Sequence, residues 1–95
     1  MDDIKLHNKL NSIGKTAFVN YFDILSNDQI TDTDKINALM KEYDYEGASI
    51  RVSFFKQIAK SGNDNIAKAL KLIEEAKRID KITRIKAFEY RIHLK

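Results

Sequence analysis

The residues best suited to chemistry in this sequence crowd into one short stretch, Ser49, Arg51, Ser53, Lys56, Gln57 and Lys60. Hydroxyls and lysine ammonium groups suit phosphate oxygens, and arginine and glutamine can bond base edges through paired hydrogen bonds. At helical spacing Ser53, Lys56, Gln57 and Lys60 share one face of a helix over 49–60. Arg51 does not join them. It projects from near the centre of the apolar face, so it must snorkel past the helix end or pair with an acid from the first half of the chain.

A helix over 33–43, a connector holding Gly47 and the helix over 49–60 are the parts of a helix-turn-helix. The connector from Tyr43 to Ser49 is longer than the usual turn of that motif. Lys68, Lys71, Arg84 and Arg91 would extend phosphate contacts. The leading expectation is therefore a small DNA-binding regulator of transcription, reading DNA with the helix over 49–60.

Other constellations carry less. Gly14-Lys15-Thr16 matches the end of a phosphate-binding loop, but that loop needs a glycine where Lys9 stands, and no strand precedes it. Asp28, Asp32, Asp34 and Asn37 resemble a calcium loop, yet Ile36 occupies a ligand position and no glycine makes the sharp turn. His7 and His93 lie near opposite ends of the chain. His7 is expected to pack half-buried at the edge of an apolar stripe, and His93 to sit on a frayed end. Without cysteine there is no thiolate zinc site, disulfide or cysteine nucleophile. No local signature sets a base beside a nucleophile, so the expectation is a protein that is not an enzyme, without cofactor or metal. A deep pocket lined by His7 or several of the acids would reopen that question.

Charge is divided unevenly. Residues 1–47 hold five Lys and nine Asp or Glu, a net of −4, whereas residues 48–95 hold twelve Lys or Arg and five acids, a net of +7. A basic half is the footprint of a polyanion partner, or else the two halves attract each other within one fold.

The elements that must position these groups are helical. Proline is absent and only three glycines occur in 95 residues, which long helices tolerate better than tight β-turns do. Apolar residues at 43% and charged residues at 33% are a globular balance. Helices are expected over 2–25, 33–43, 49–60, 65–79 and from Asp80 toward the C-terminus, with Thr33, Ser49, the Asn63-Asp64-Asn65 group and Asp80 as caps. Gly14 lies on the stripe of the first helix, where it either admits a close neighbour, the favoured reading, or marks a break.

The expected fold is all-α, a single compact domain over 1–95 of about five helices, with an antiparallel up-and-down bundle as the other arrangement. Its core is expected to hold Leu10, Ile13, Phe18, Phe22, Leu39, Met40, Phe54, Phe55, Ile58, Leu70, Ile73 and Ile85. No run suits a membrane span or a signal peptide, so a cytoplasmic protein is expected. The abundance of Ile, Lys and Asn points to an AT-rich bacterial or phage genome.

The last helix carries two apolar stripes, Ile82/Ile85/Phe88/Ile92 and Ala87/Tyr90/Leu94. Such a helix is sandwiched between neighbours or offers one face to another chain. The competing expectation is thus a protein-interaction module (an inhibitor, an antitoxin-like partner or an immunity-type bundle). It would meet a protein partner, or form a homodimer, through Tyr90 and Leu94.

Overall fold

Asp2 sets the start of the first helix: its carboxylate accepts the Lys5 N–H at 2.8 Å, satisfying one of the orphan donors of the first turn. The computed structural model describes residues 1–94, and among them the chain forms seven helices and no strand. These are α1 (Asp3–Ile13), α2 (Lys15–Asn20), α3 (Phe22–Leu25), α4 (Asp32–Leu39), α5 (Tyr45–Lys60), α6 (Asn63–Glu74) and α7 (Lys81–Ile92). The all-helical bundle is as expected, but the first expected helix is three.

Gly14 is the reason for the first break. It sits at φ 91° and ψ 131°, a conformation that L side chains rarely adopt, and its N–H closes α1 on the Leu10 carbonyl at 2.8 Å. A Cβ built there would meet only Ala17 Cβ, at 3.9 Å. No neighbouring helix presses on this glycine. It is needed for its backbone and not for close packing.

Several caps also fall earlier than expected. α4 begins after Thr31, whose hydroxyl accepts the Asp34 N–H at 3.1 Å, and ends at Leu39, well short of Tyr43. α5 begins after Asp44, whose carboxylate accepts the Gly47 N–H at 2.7 Å. Gly47 therefore lies in the first turn of α5, and Ser49 is inside the helix. α6 begins after Gly62, which has φ 121° and provides no side-chain cap. Asn65 instead donates backward to the Ser61 hydroxyl at 2.8 Å, fastening the α5–α6 corner. Asp80 caps α7 as expected, accepting the Thr83 N–H at 2.8 Å.

α5 runs through the middle of the molecule, packed against α1, α3, α4 and α6, while α7 lies on α6 and α2. Phe18, Phe22 and Phe55 form the centre, with Phe55 4.9 Å from Phe18 and 5.8 Å from Phe22 between ring centroids. Leu6, Leu10, Ile13, Leu39, Ile58, Leu70 and Ile73 close around them in one contiguous core. Small residues complete it where helices approach, with Ala48, Ala69 and Ala87 fully buried. Of the expected core, Phe54 is only partly buried against it, and two residues lie outside. Met40 is 44% exposed because α4 ends before it, and Ile85 is 46% exposed because α7 turns its other side inward.

The charge asymmetry is partly internal. Of three salt bridges among the described residues, Lys56–Asp32 at 2.7 Å and Lys68–Asp3 at 3.6 Å join the basic half to the acidic half. The third joins Arg91 to Glu74, a carboxylate that sequence spacing assigns to Arg78. α6 ends at Glu74, so Arg78 leaves the helix and the acid turns to α7.

Candidate functional site

Two helical faces compete as the working surface, the polar side of α5 and the outer side of α7. On α5 the six residues expected to meet DNA do not act as one group. Arg51 turns into the molecule, where its Nε donates to the Ile13 carbonyl at 2.9 Å and its Nη1 to the Gly47 carbonyl at 3.1 Å. Its guanidinium also stacks 3.8 Å from the Tyr43 ring centroid. Arg51 thus satisfies an orphan carbonyl at the end of α1 and ties three segments together. Neither snorkelling nor an acidic partner describes it.

The remaining five lie along the surface, in different circumstances. Lys56 is held by Asp32, and that hydrogen bond, helped by the fields of Lys35 and Lys60, keeps the Asp32 carboxyl below its ordinary range. Gln57 accepts from Lys9 Nζ at 2.7 Å and donates to the Ser53 hydroxyl at 3.2 Å. Ser49 is half-buried, and Lys60 is exposed and in no salt bridge among the described residues. At the start of α5, where a recognition helix meets base edges, Asp44 and Glu46 are both exposed.

α7 presents the reverse of what its sequence suggests. Tyr90 stacks on Phe22 with ring centroids 4.5 Å apart, and its hydroxyl donates to Asp23 at 3.1 Å. Burial, and then that bond, push the Tyr90 hydroxyl above its usual pKa. Leu94 also packs against the core. The side of α7 that meets water is instead Ile82, Ile85, Phe88 and Ile92, at 68, 46, 45 and 53% exposure. From Ile82 to Ile92, ten helical rises, the stripe is about 15 Å long. Lys81 and Lys86 are exposed beside it, and Glu89 is the one exposed acid of α7.

The signal that separates the two stripes lies in the sequence. Ala87 and Thr83 are the small residues of α7, and small side chains let helix axes approach. Both are buried, so the stripe that contains Ala87 is the packed one.

The histidines do not converge on a site. His7 is exposed rather than half-buried, and His93 is the residue that ends α7. Gly14-Lys15-Thr16 opens α2, with Lys15 Nζ on Asn11 at 3.4 Å. Among the described residues no group of three or more His, Asp or Glu could hold a metal ion, and no helix is long and apolar enough to cross a membrane. A half-open cleft beside α5 gathers Asp28, Asp32 and His93, but not His7. Compared with known proteins, the chain matches no family model, no curated sequence and no solved structure.

Proposed function

We propose that this chain is a small protein-interaction module that presents the outer stripe of α7 to a partner protein. The observation that carries this reading is the run of four large apolar side chains, each nearly half exposed or more, on one helix face. Contiguous apolar surface of this kind marks interaction sites in proteins that otherwise bury such residues. A helix offering anchors at such spacing is suited to a groove.

The chemistry of the groove follows from the rim. Lys81 and Lys86 flank the stripe against the single acid Glu89, so the partner surface is apolar at its floor and acidic at its edge. A second copy laid face to face on α7 suits the stripe less well. Four half-exposed side chains fall short of the roughly 800 Å² per partner that a stable interface buries, whereas a groove wraps the helix and also covers its flanks.

The test compares the parent with Ile85→Asp and Ile92→Asp. Both side chains are exposed, so the variants keep the parent's circular dichroism and melting temperature. Affinity-tagged parent enriches a protein that both variants lose, and raised salt weakens the capture. Identical capture by parent and variants would remove the stripe from consideration.

DNA binding is the second reading, and one observation favours it. Lys71, Lys77, Arg78, Lys81 and Lys86 are exposed around the α6–α7 turn, and none forms a salt bridge among the described residues. Fluorescence anisotropy with a labelled duplex at two salt concentrations decides it. Salt-steep binding that survives Ile85→Asp but is lost in Lys77→Glu/Lys81→Glu would make phosphate contact the better account. Loss in Lys56→Glu/Lys60→Glu instead would return the contact to α5.

A further inference from the structure

The cleft beside α5 has a cavity volume of about 700 Å³, within the range of small-molecule sites. Its apolar lining includes Phe22, Phe55, Ile66 and Leu94, drawn from α3, α5, α6 and the segment after α7. At its edge lies Lys35, only 9% exposed, whose ammonium donates one hydrogen bond, to the Leu25 carbonyl at 3.0 Å. An ammonium has three donors, and a buried one is unfavourable unless it is paired with charge or fully hydrogen-bonded. A single carbonyl leaves Lys35 short.

The acids of the rim form no hydrogen bond with Lys35 among the described residues. Asp32 is bonded to Lys56, and Asp28 lies exposed at the lip. Lys35, Lys56 and Lys60 line the cleft against Asp28 and Asp32, a surplus of one positive charge before His93 is counted. A lining that mixes apolar and charged side chains, with a cation holding one hydrogen bond at its edge, suits an amphiphilic ligand.

We propose that the cleft binds a small amphiphilic carboxylate, its head group on Lys35 and Lys60 and its apolar body against Phe22, Phe55, Ile66 and Leu94. The carboxylate supplies further acceptors for Lys35, and the chain covers half-buried Leu94 beside the buried Phe22, Phe55 and Ile66. The site is separate from the outer stripe of α7, so the two proposals stand or fall independently.

Titration of the ¹⁵N-labelled protein with octanoate, and in parallel with neutral 1-octanol, tests this. Octanoate is expected to shift the amides of Lys35, Lys60, Ile66 and Leu94 and to bind about tenfold or more tightly than octanol, the difference one charge-assisted contact makes. Lys35→Met should bring the two ligands to similar affinity. Because Lys35 also holds the Leu25 carbonyl, Lys60→Gln is the second variant, and it should weaken octanoate severalfold while leaving octanol unchanged. Equal affinity for the two ligands, shifts confined to the Ile82–Ile92 stripe, or no shift at about 10 mM octanoate would each overturn the assignment.

Discussion

α5 and α7 are both amphipathic and both rich in Ile, Phe, Lys and Arg, but the fold treats them oppositely. α5 is packed against four neighbours; on its polar face Lys56 is bonded to Asp32 and Gln57 to Lys9, and from its apolar side Arg51 is bonded to Ile13. α7 is packed along one side only and leaves an apolar stripe in water. α5 therefore holds the molecule together, whereas α7 keeps one apolar face in water. A polar surface is not by itself a recognition surface when its groups already have partners.

The sharpest test of this contrast uses one residue type in two places. Phe55 on α5 is 1% exposed, in contact with Phe18 and Phe22, whereas Phe88 on α7 is 45% exposed. Phe55→Ala is expected to lower unfolding free energy by about 3–5 kcal/mol, the cost of a large cavity among aromatic rings. Phe88→Ala should cost less than about 1 kcal/mol. Urea denaturation measures both. Similar losses would mean that α7 is covered in the native protein.

Arg51 probes the same contrast through a polar group. Arg51→Ala removes two hydrogen bonds to carbonyls and the stack on Tyr43, and leaves the Ile13 carbonyl without its donor. The expected loss is about 2–3 kcal/mol, and lysine, which lacks the planar fork, should recover only a minor part. Duplex affinity measured on Arg51→Lys at a temperature where it remains folded separates this structural role from a recognition role. Unchanged stability would show that the arginine is available for a partner after all.

A smaller effect is expected where backbone alone decides. Gly14 and Gly62 have φ of 91° and 121°, and no neighbour lies within 4 Å of a Cβ added at Gly62. Gly62→Ala should cost about 1–3 kcal/mol through backbone strain, with no steric contribution. Comparing its unfolding midpoint with that of Ser61→Ala, a neighbour without special φ, isolates the conformational cost.

These cases also show what the sequence could reveal. Helical periodicity located every long element, the Asp80 cap and most of the core, because burying an apolar stripe depends on spacing that a linear chain displays. It did not locate the break at Gly14, because a stripe stays in phase when one residue leaves helical geometry. Arg51 was visible as an anomaly on an apolar face, but its acceptors are backbone carbonyls, which every residue carries and no sequence marks. Lys35 was missed for a related reason. It stands four residues before Leu39, on the inner side of α4, where a lysine looks like surface unless the carbonyl it reaches is known. The two stripes of α7 were plain, and the small residues Ala87 and Thr83 carried the information about which one packs.

The smallest effect concerns pH and again sets α5 against α7. Asp32 is held below the ordinary aspartate range chiefly by its hydrogen bond with Lys56 of α5, and Asp80 by its hydrogen bonds with Thr83 at the start of α7. A carboxyl with a lowered folded-state pKa binds protons more readily in the unfolded chain. Its contribution is therefore complete above the unfolded value and disappears as pH falls through the folded one. The melting temperature should be level from about pH 5 to 8 and decline below about pH 4. Asp80→Asn retains a good N-cap while removing the titration, so it should flatten part of the acid decline at little cost near neutrality. Asp32→Asn removes the charge that holds Lys56 and should flatten another part. Because this pair is exposed, the cost at pH 7 stays small. An acid limb that neither substitution changes would place the titrating groups elsewhere and show that the α7 cap acts by geometry and not by charge.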